Sequence, residues 1–219
     1  MSTSRNDGDA LLVVDVQNDF CSGGALAVPY GERVVPVIDG LLDHFLDIVF
    51  TQDWHPPGHH SFASTHPNAA PYDAIATVYG EQTLWPDHCV QGTPGAAFHP
   101  DLRLDRATSI VRKGFRREVD SYSAFFENDR RTATGLGAAL RERGVTRVFL
   151  AGLAFDFCVL YSALDARRLG FEAVVLDFAC AGIDIDGSMT AARAALREVG
   201  VLIAERDHPA LAARIGAMP

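Results

Sequence analysis

Four residues that are able to take part in catalysis each lie at, or shortly after, the carboxyl end of a predicted β-strand. They are Asp15, Asp53, Lys113 and Cys158. Ligands bind at the carboxyl edge of the strands in an open α/β sheet, so we expect these four side chains to meet there. Each has an ordinary structural explanation when taken alone, for example a helical cysteine that fills a core. Their shared position in the predicted fold favours a functional site.

Cys158 lies in a segment that is suited to a nucleophile. It follows a short apolar run at 148–151, which we predict to be a buried strand, and a Gly-Leu-Ala turn. Helical spacing of apolar residues begins at Phe157, and Asp156 is a plausible N-cap, which would place Cys158 in the first helical turn. The helix dipole and free N–H groups there would favour a thiolate and could hold an oxyanion.

Asp15 and Lys113 are the partners that such a cysteine needs. Asp15 follows the apolar run 11–14, where an unpaired carboxylate would be costly to bury, and Lys113 offers the matching cation. Together with Cys158 they make a Cys-Asp-Lys set. We predict that Asp15 takes the thiol proton and that Lys113 holds the thiolate and tunes the carboxylate.

A second set of residues has the chemistry of a metal site. Asp53 and His55 are two positions apart in an Asp-Trp-His sequence, and His88 follows from a later loop. Three ligands that leave coordination positions open suit Zn²⁺, Fe²⁺ or Mn²⁺ and are typical of catalytic metals. The alternative is a polar loop in which histidines cluster by chance. His60 is expected to face solvent.

Strands and helices alternate along the chain, which predicts a three-layer α/β/α fold with a mostly parallel sheet of about six strands. The predicted strands are 10–16, 47–52, 108–112, 148–151, 171–176 and 201–204, and the predicted helices are 29–45, 135–143, 157–169 and 187–199. The connection 54–107 is rich in Pro, Gly and His, and its length predicts a functional excursion. We expect one domain over 1–219, with 1–8 as a disordered lead.

Composition excludes several classes of function. The net charge of −9 and the lack of a strong basic patch argue against nucleic-acid binding. No apolar run approaches the ~20 residues that span a bilayer, and the first residues lack a signal-peptide core. Cysteines without regular spacing predict reduced thiols and a cytoplasmic location. No chemistry is assigned to Cys21, Cys89 and Cys180.

Five blocks of the chain resemble nicotinamidases, also called pyrazinamidases, a branch of the isochorismatase-like cysteine hydrolases. The blocks are VDVQNDFCSGGALAV (14–28), TQDWHPPGHHSFAS (51–64), LWPDHCVQGTPGAAFHP (84–100), VRKGFRREVDSYSAFF (111–126) and GLAFDFCVLYSALDA (152–166). They follow one another in family order over most of the chain between 14 and 166. The Asp-Trp-His and Trp-Pro-Asp-His sequences single out the nicotinamidase branch.

The resemblance implies a role for each member of the Cys-Asp-Lys set. Asp15 would be the general base, Lys113 its cationic partner and Cys158 the nucleophile. It also implies a cis peptide bond between Leu153 and Ala154, with an oxyanion hole made by the N–H groups of Ala154 and Cys158. Phe155 stands where a Thr is common in the family.

The resemblance also implies one divalent metal ion per subunit, zinc first, with iron and manganese as alternatives. Asp53, His55 and His88 would hold the ion, which would bind the pyridine nitrogen, and His59 fits a supporting position better than His60. The aromatic residues that would contact the substrate ring are Phe20, Trp85 and Tyr122.

These roles predict hydrolysis of nicotinamide to nicotinate and ammonia in NAD salvage, and action on pyrazinamide as well. The predicted partner is this small molecule, with no nucleic acid and no membrane, and the family resemblance favours a homo-oligomer. The nearest alternative is another amidase of the same fold that acts on a ureido or aliphatic amide. A non-haem iron oxygenase and a metal- or redox-sensing module with a reactive Cys158 are more distant alternatives.

Overall fold

A six-stranded parallel sheet forms the centre of the computed structural model, which describes residues 8–209 and 211. The strands of the chain are β1 (Asp9–Val14), β2 (Asp47–Asp53), β3 (Ala74–Thr77), β4 (Gly80–Thr83), β5 (Ser109–Lys113), β6 (Arg147–Gly152), β7 (Glu172–Cys180) and β8 (Leu202–Ala204). The sheet has the order β5-β2-β1-β6-β7-β8, with every neighbouring pair parallel. The predicted fold class is confirmed. The expectation for residues 1–8 lies, apart from Gly8, outside the described residues.

Helices cover both faces of this sheet. They are α1 (Val34–Leu42), α2 (Leu136–Glu142), α3 (Leu160–Arg168) and α4 (Ser188–Glu198). Successive side chains of a strand point to opposite faces, and β1 shows the consequence. Leu11 and Val13 pack in the core layer that contains α1, whereas Leu12 and Val14 pack in the layer that contains α2, α3 and α4.

The order of the strands reverses direction next to β1. The chain runs outward from β1 through β2 to β5 on one side, and then returns to β6 on the other side of β1. The carboxyl ends of β1 and β6 therefore form the switch point at which open α/β sheets bind ligands. Asp15 follows β1 and Cys158 follows β6.

Two predicted helices begin later than their apolar spacing indicated. The prediction of 29–45 fails in its first part because Tyr30 has a left-handed φ of 59°, and a short 3₁₀ turn precedes α1. The helix predicted from Phe157 begins as α3 at Leu160, because residues Phe155–Val159 form a π-helical turn. Such turns are rare and are frequent at functional sites.

The connection 54–107 contains structure that composition did not predict. β3 and β4 form an antiparallel two-stranded hairpin within it. Bridges between His55 and Val90 and between Phe62 and Trp85 join the first part of the connection to its later part. Within the described part of the chain, the helices are too short or too polar to cross a membrane.

Candidate active site

Asp15, Lys113 and Cys158 meet at the carboxyl edge of the sheet. Lys113 Nζ lies 2.8 Å from Asp15 Oδ2 and 3.4 Å from Cys158 Sγ. Asp15 and Lys113 are completely buried, and Cys158 is 6% exposed. The three residues predicted as a set therefore share one site that is shielded from bulk solvent.

The hydrogen bonds that Lys113 donates go to groups other than Asp15. Its ammonium donates to Asp53 Oδ1, to the carbonyl of Ser121 and to Cys158 Sγ. Thr51 Oγ1 donates to Asp15 Oδ1 at 2.6 Å. Asp15 Oδ2 is buried and accepts no hydrogen bond, although it is ion-paired with Lys113. This oxygen is suited to receive a proton from a neighbouring group.

The surroundings of Cys158 favour its thiol form, whereas the helix-start position was expected to favour the thiolate. Burial raises the pKa of Cys158 well above its usual value, and the nearby Lys113 only partly offsets this. Burial also raises the pKa of Asp15 to about 6, against the opposing effects of Lys113 and Thr51. An Asp15 that is largely ionised at neutral pH therefore lies in the same buried set as a cysteine that favours its thiol form.

Asp156 does not cap the nucleophile turn, contrary to the prediction. The residue at the N-cap position is Ala154, and no side chain caps the turn. The carboxylate of Asp156 instead accepts hydrogen bonds from the N–H of Ile183 at 3.0 Å, the N–H of Asp184 at 2.8 Å and the hydroxyl of Ser188. Asp156 thus ties the nucleophile turn to the loop that precedes α4.

Because Asp156 makes these hydrogen bonds, we expect its replacement to lower the stability of the protein. Asp156→Asn keeps the shape of the side chain but places an N–H₂ group against donors, so we expect the free energy of unfolding to fall by about 2–4 kcal/mol. Urea denaturation measures the change. The exposed Asp186 of the same loop gives a matched Asp→Asn control, which should remain within about 0.5 kcal/mol of the parent. Equal stability of the two variants would contradict this role of Asp156.

The peptide bond between Leu153 and Ala154 is cis, as the resemblance implies. The carbonyl of Ala154 accepts hydrogen bonds from the N–H groups of Phe157 and Val159, each at 3.1 Å. Among the described residues the N–H of Ala154 has no such partner, and Ala154 lines the same pocket as Cys158. This N–H group is therefore available to a ligand beside the thiol.

Asp53, His55 and His88 form a buried cluster whose ligand atoms all lie within 4.8 Å of one another. Asp53 Oδ2 lies 3.7 Å from His55 Nε2 and 3.9 Å from His88 Nε2. Both histidines bond a backbone carbonyl through Nδ1, Gly114 for His55 and Pro86 for His88, each at 2.8 Å. A carbonyl only accepts, so Nδ1 carries a proton in each ring, and Nε2 is the nitrogen that can offer a lone pair to a metal ion. Against the effect of burial, Asp53 raises the pKa of His55, so a metal ion would take the place of a proton on Nε2 of that ring.

The donor set fits a divalent metal ion. His55 Nε2 is buried and has no hydrogen-bond partner, which is costly unless a cation binds there. Burial and the neighbouring His55 lower the pKa of His88 to about 4, which keeps this ring in the neutral form that binds metals. Gly114 allows the close approach, because a Cβ on it would lie 2.4 Å from His55 Cε1.

His59 and His60 lie outside this three-residue cluster. His59 is buried with its ring centroid 4.4 Å from that of His55. Its nitrogens are already engaged, Nδ1 with Ser61 Oγ at 2.8 Å and Nε2 with the carbonyl of Arg116 at 2.9 Å. His60 packs against the ring of His66 and belongs to neither histidine-containing cluster. His59 therefore supports His55 by packing, without offering a free lone pair.

A narrow cavity joins the two sets of residues. Its lining contains the aromatic residues predicted to contact a substrate ring, Phe20, Trp85 and Tyr122. The sequence reasoning missed four other lining residues, which are Leu26, Asp120, Phe157 and Ile183. The rings of Phe157 and Trp85 pack edge to face, with 4.9 Å between their centroids. The position of Phe157 next to Cys158 in the sequence could have indicated that it lines the cavity, whereas Leu26 and Ile183 look like ordinary loop residues.

Comparisons with known proteins agree with this geometry. Residues 9–207 match the isochorismatase domain family. The nicotinamidase of Acinetobacter baylyi is 52% identical over 180 residues, which cover 82% of this chain and 84% of that protein. The solved nicotinamidase and pyrazinamidase of Acinetobacter baumanii superposes with a TM-score of 0.90 at 48% identity, covering 91% of this chain and 96% of the other.

A structure with a bound metal is also similar. The pyrazinamidase of Pyrococcus horikoshii in complex with zinc is 35% identical, with a TM-score of 0.74, over 90% of this chain and 99% of the other.

Proposed function

The chain belongs to the isochorismatase domain family, and we propose that it is a nicotinamidase, an amidohydrolase that converts nicotinamide to nicotinate and ammonia in NAD salvage. The observation that supports this most directly is the cavity lined by Cys158 and by two members of the metal-ligand set, Asp53 and His88, with aromatic walls that fit a flat ring. A pyridine carboxamide needs both halves of such a cavity. Its ring must be oriented and its amide carbon must face a nucleophile.

Acylation begins with removal of the thiol proton. Asp15 Oδ2 takes the proton of Cys158 as Sγ attacks the amide carbon, and Lys113 stabilises the negative charge that develops on sulfur. The carbonyl oxygen becomes an oxyanion, which the N–H groups of Ala154 and Cys158 bind. Asp15 then gives the proton to the amide nitrogen, the C–N bond breaks, and ammonia leaves a thioester on Cys158.

Deacylation reuses the same groups. Asp15 takes a proton from a water molecule that attacks the thioester carbon, and the two N–H groups bind the second oxyanion. The C–S bond breaks, the proton held by Asp15 returns to the sulfur, and the nicotinic acid that leaves gives its remaining acidic proton to solvent to become nicotinate. Lys113 pairs with Asp15 throughout, which keeps one negative charge in the buried set balanced.

Asp53, His55 and His88 would hold one divalent ion in each subunit, and we propose zinc. When bound, such an ion supplies a Lewis acid that accepts the pyridine nitrogen and so orients the ring. The protein itself fixes the distance from this site to Cys158, because Lys113 bonds both Asp53 and Cys158.

Metal removal tests the proposed role of the ion at Asp53, His55 and His88. We expect chelation to lower ammonia release from nicotinamide at least about tenfold, chiefly through a higher KM, because ring positioning is lost. Added Zn²⁺, Fe²⁺ or Mn²⁺ should restore it. The measurement is ammonia release by purified protein before chelation, after it and after addition of each metal, with metal content followed in parallel. Full activity of protein shown to be metal-free would exclude the proposed role of the ion.

Other substrates, oxygen consumption and the reaction of Cys158 with peroxide separate the alternatives. A ureido or aliphatic amidase of this fold would act on those amides and would have no use for the set Asp53, His55 and His88. A non-haem iron oxygenase would consume oxygen. A sensing module would show no turnover of any aromatic amide while Cys158 reacted with peroxide. We further propose that pyrazinamide is a substrate, that 1–219 forms a single domain, and that the protein works in the cytoplasm as a homo-oligomer.

A further inference from the structure

Asp19 lies directly before a wall residue of the cavity, and the proposed mechanism gives it no role. It is half-buried in the loop that follows β1, and the next residue, Phe20, lines the cavity. Its carboxylate accepts hydrogen bonds from two backbone N–H groups, that of Cys89 at 2.7 Å through Oδ2 and that of Ala25 at 3.2 Å through Oδ1. No role was predicted for Asp19 from the sequence.

The backbone of Cys89 connects two of the proposed metal ligands. Cys89 directly follows His88, so the N–H that Asp19 binds belongs to the peptide bond between these two residues. The carbonyl of Cys89 accepts a hydrogen bond from the N–H of His55 at 3.0 Å. Asp19 therefore holds the backbone at the point where the segments that carry His55 and His88 meet.

The conformation of Cys89 needs this support. Its φ is 48°, in the left-handed region, which a residue with a Cβ adopts only where its surroundings hold it. The hydrogen bond from its N–H to Asp19 is short and charge-assisted, which makes it stronger than a bond between neutral groups. Without this bond we expect the turn at Cys89 to relax and to move the ring of His88.

The same residue also fixes the wall of the cavity. The carbonyl of Asp19 accepts a hydrogen bond from the N–H of Leu26 at 3.0 Å, and Leu26 lines the cavity together with Phe20. The rings of Phe20 and His88 pack edge to face, with 5.5 Å between their centroids. Asp19 thus joins the loop that forms the wall to the loop that carries a metal ligand.

Gly95 provides the space for the carboxylate of Asp19. The carbonyl of Gly95 accepts a hydrogen bond from the N–H of Asp19 at 3.0 Å. A Cβ on Gly95 would overlap the carboxylate of Asp19, whose atoms would be its nearest neighbours. Gly95 does not have a positive φ, so alanine fits the backbone there. Gly95→Ala therefore displaces this carboxylate without changing its charge.

We propose that Asp19 is a positioning residue that fixes His88 and the aromatic wall relative to each other, so that a ring held at the metal site also lies against Phe20. This inference rests on the proposed metal site at Asp53, His55 and His88. Partners that orient a metal ligand typically change metal affinity or activity by about 10–100-fold when they are lost. Asp19 acts through the backbone, so we expect the lower end of this range.

The test measures two quantities for Asp19→Ala. Zinc affinity, measured by competition between the metal-free protein and a chromogenic chelator, should weaken about tenfold. For the zinc-loaded protein, KM for nicotinamide should rise about tenfold while kcat falls less than about threefold, because the ring loses its position and the Cys-Asp-Lys set is unchanged. A merely structural Asp19 would lower the melting temperature and leave zinc affinity and KM unchanged. Asp101→Ala, at an exposed residue of the connection 54–107, should change none of these quantities.

Two further variants keep the outcome decisive. Gly95→Ala should weaken zinc binding and raise KM in the same direction as Asp19→Ala, and it carries the test if Asp19→Ala does not fold. Unchanged zinc affinity and KM in the folded variants overturn the inference. His88→Ala distinguishes this result from failure of the proposed function, because a metal site that does not exist at all would leave zinc affinity unchanged in that variant too.

Discussion

Replacement of Cys158 by alanine is expected to abolish hydrolysis of nicotinamide, with kcat lowered by more than about 10⁴-fold. No other thiol among the described residues lies in the cavity next to Lys113 and the N–H of Ala154. Without Sγ there is no thioester, and the remaining groups only bind and orient the amide. The loss should fall on kcat, because the ring contacts and the metal ligands are unchanged.

The measurement is steady-state ammonia release, accompanied by nicotinate binding and thermal unfolding. Cys158→Ala should bind nicotinate and melt close to the parent temperature, which separates lost chemistry from lost structure. Cys180 provides the matched control, since it is a partly buried thiol at the end of β7, outside the cavity. Cys180→Ala should keep nearly full turnover. A Cys158→Ala variant with activity within tenfold of the parent would remove Cys158 as nucleophile.

The sequence predicted that distant residues meet, because each strand is a local pattern and the residue at which it ends can be read from the sequence. β2 and β5 are short strands that contain the apolar residues Ile48–Phe50 and Ile110–Val111 and end at Asp53 and Lys113, and these two end residues are direct neighbours in the parallel register. Once a parallel sheet is expected, strand ends must share an edge. The same rule placed Asp15 and the Cys158 turn at that edge.

The sequence patterns could not predict the contacts of side chains that lie in irregular segments. Asp120 and Gln82 meet across 38 positions of the chain, in a loop and in a hairpin whose mutual position depends on tertiary packing. Asp156 fits the composition of an N-cap, but a π-helical turn carries its carboxylate to the loop before α4 instead. Local propensity cannot anticipate such tertiary hydrogen bonds.

The protonation state of Cys158 illustrates a second limit. The helix-start position predicted a stabilised thiolate, whereas burial raises the pKa of the thiol. Burial depends on everything packed around the residue, so it is not visible in a local pattern. The consequence for the proposed mechanism is that a buried thiol needs a base within reach, the role that we propose for Asp15.

Asp15→Asn is accordingly expected to lower kcat/KM by about 10³-fold, since it removes the general base while keeping the side-chain shape. In the parent enzyme, burial raises the pKa of Asp15 to about 6. The active carboxylate form therefore dominates above this pH and is lost as the pH falls through it. We expect kcat/KM of the parent to decline below about pH 6, approaching tenfold per pH unit, and the residual activity of Asp15→Asn to lack this decline.

Thr51→Val is the matched control, because it keeps the carboxylate and removes the hydrogen bond from Thr51 Oγ1 to Asp15 Oδ1, together with the one that Thr51 Oγ1 accepts from the N–H of Asp15. That bond favours the charged form of Asp15, so its loss should raise the pKa and move the acid decline of kcat/KM to higher pH. At pH 8, where Asp15 stays ionised, Thr51→Val should lose far less activity than Asp15→Asn. An acid limb that persists unchanged in Asp15→Asn would assign the titration, and with it the base, to a different group of the site.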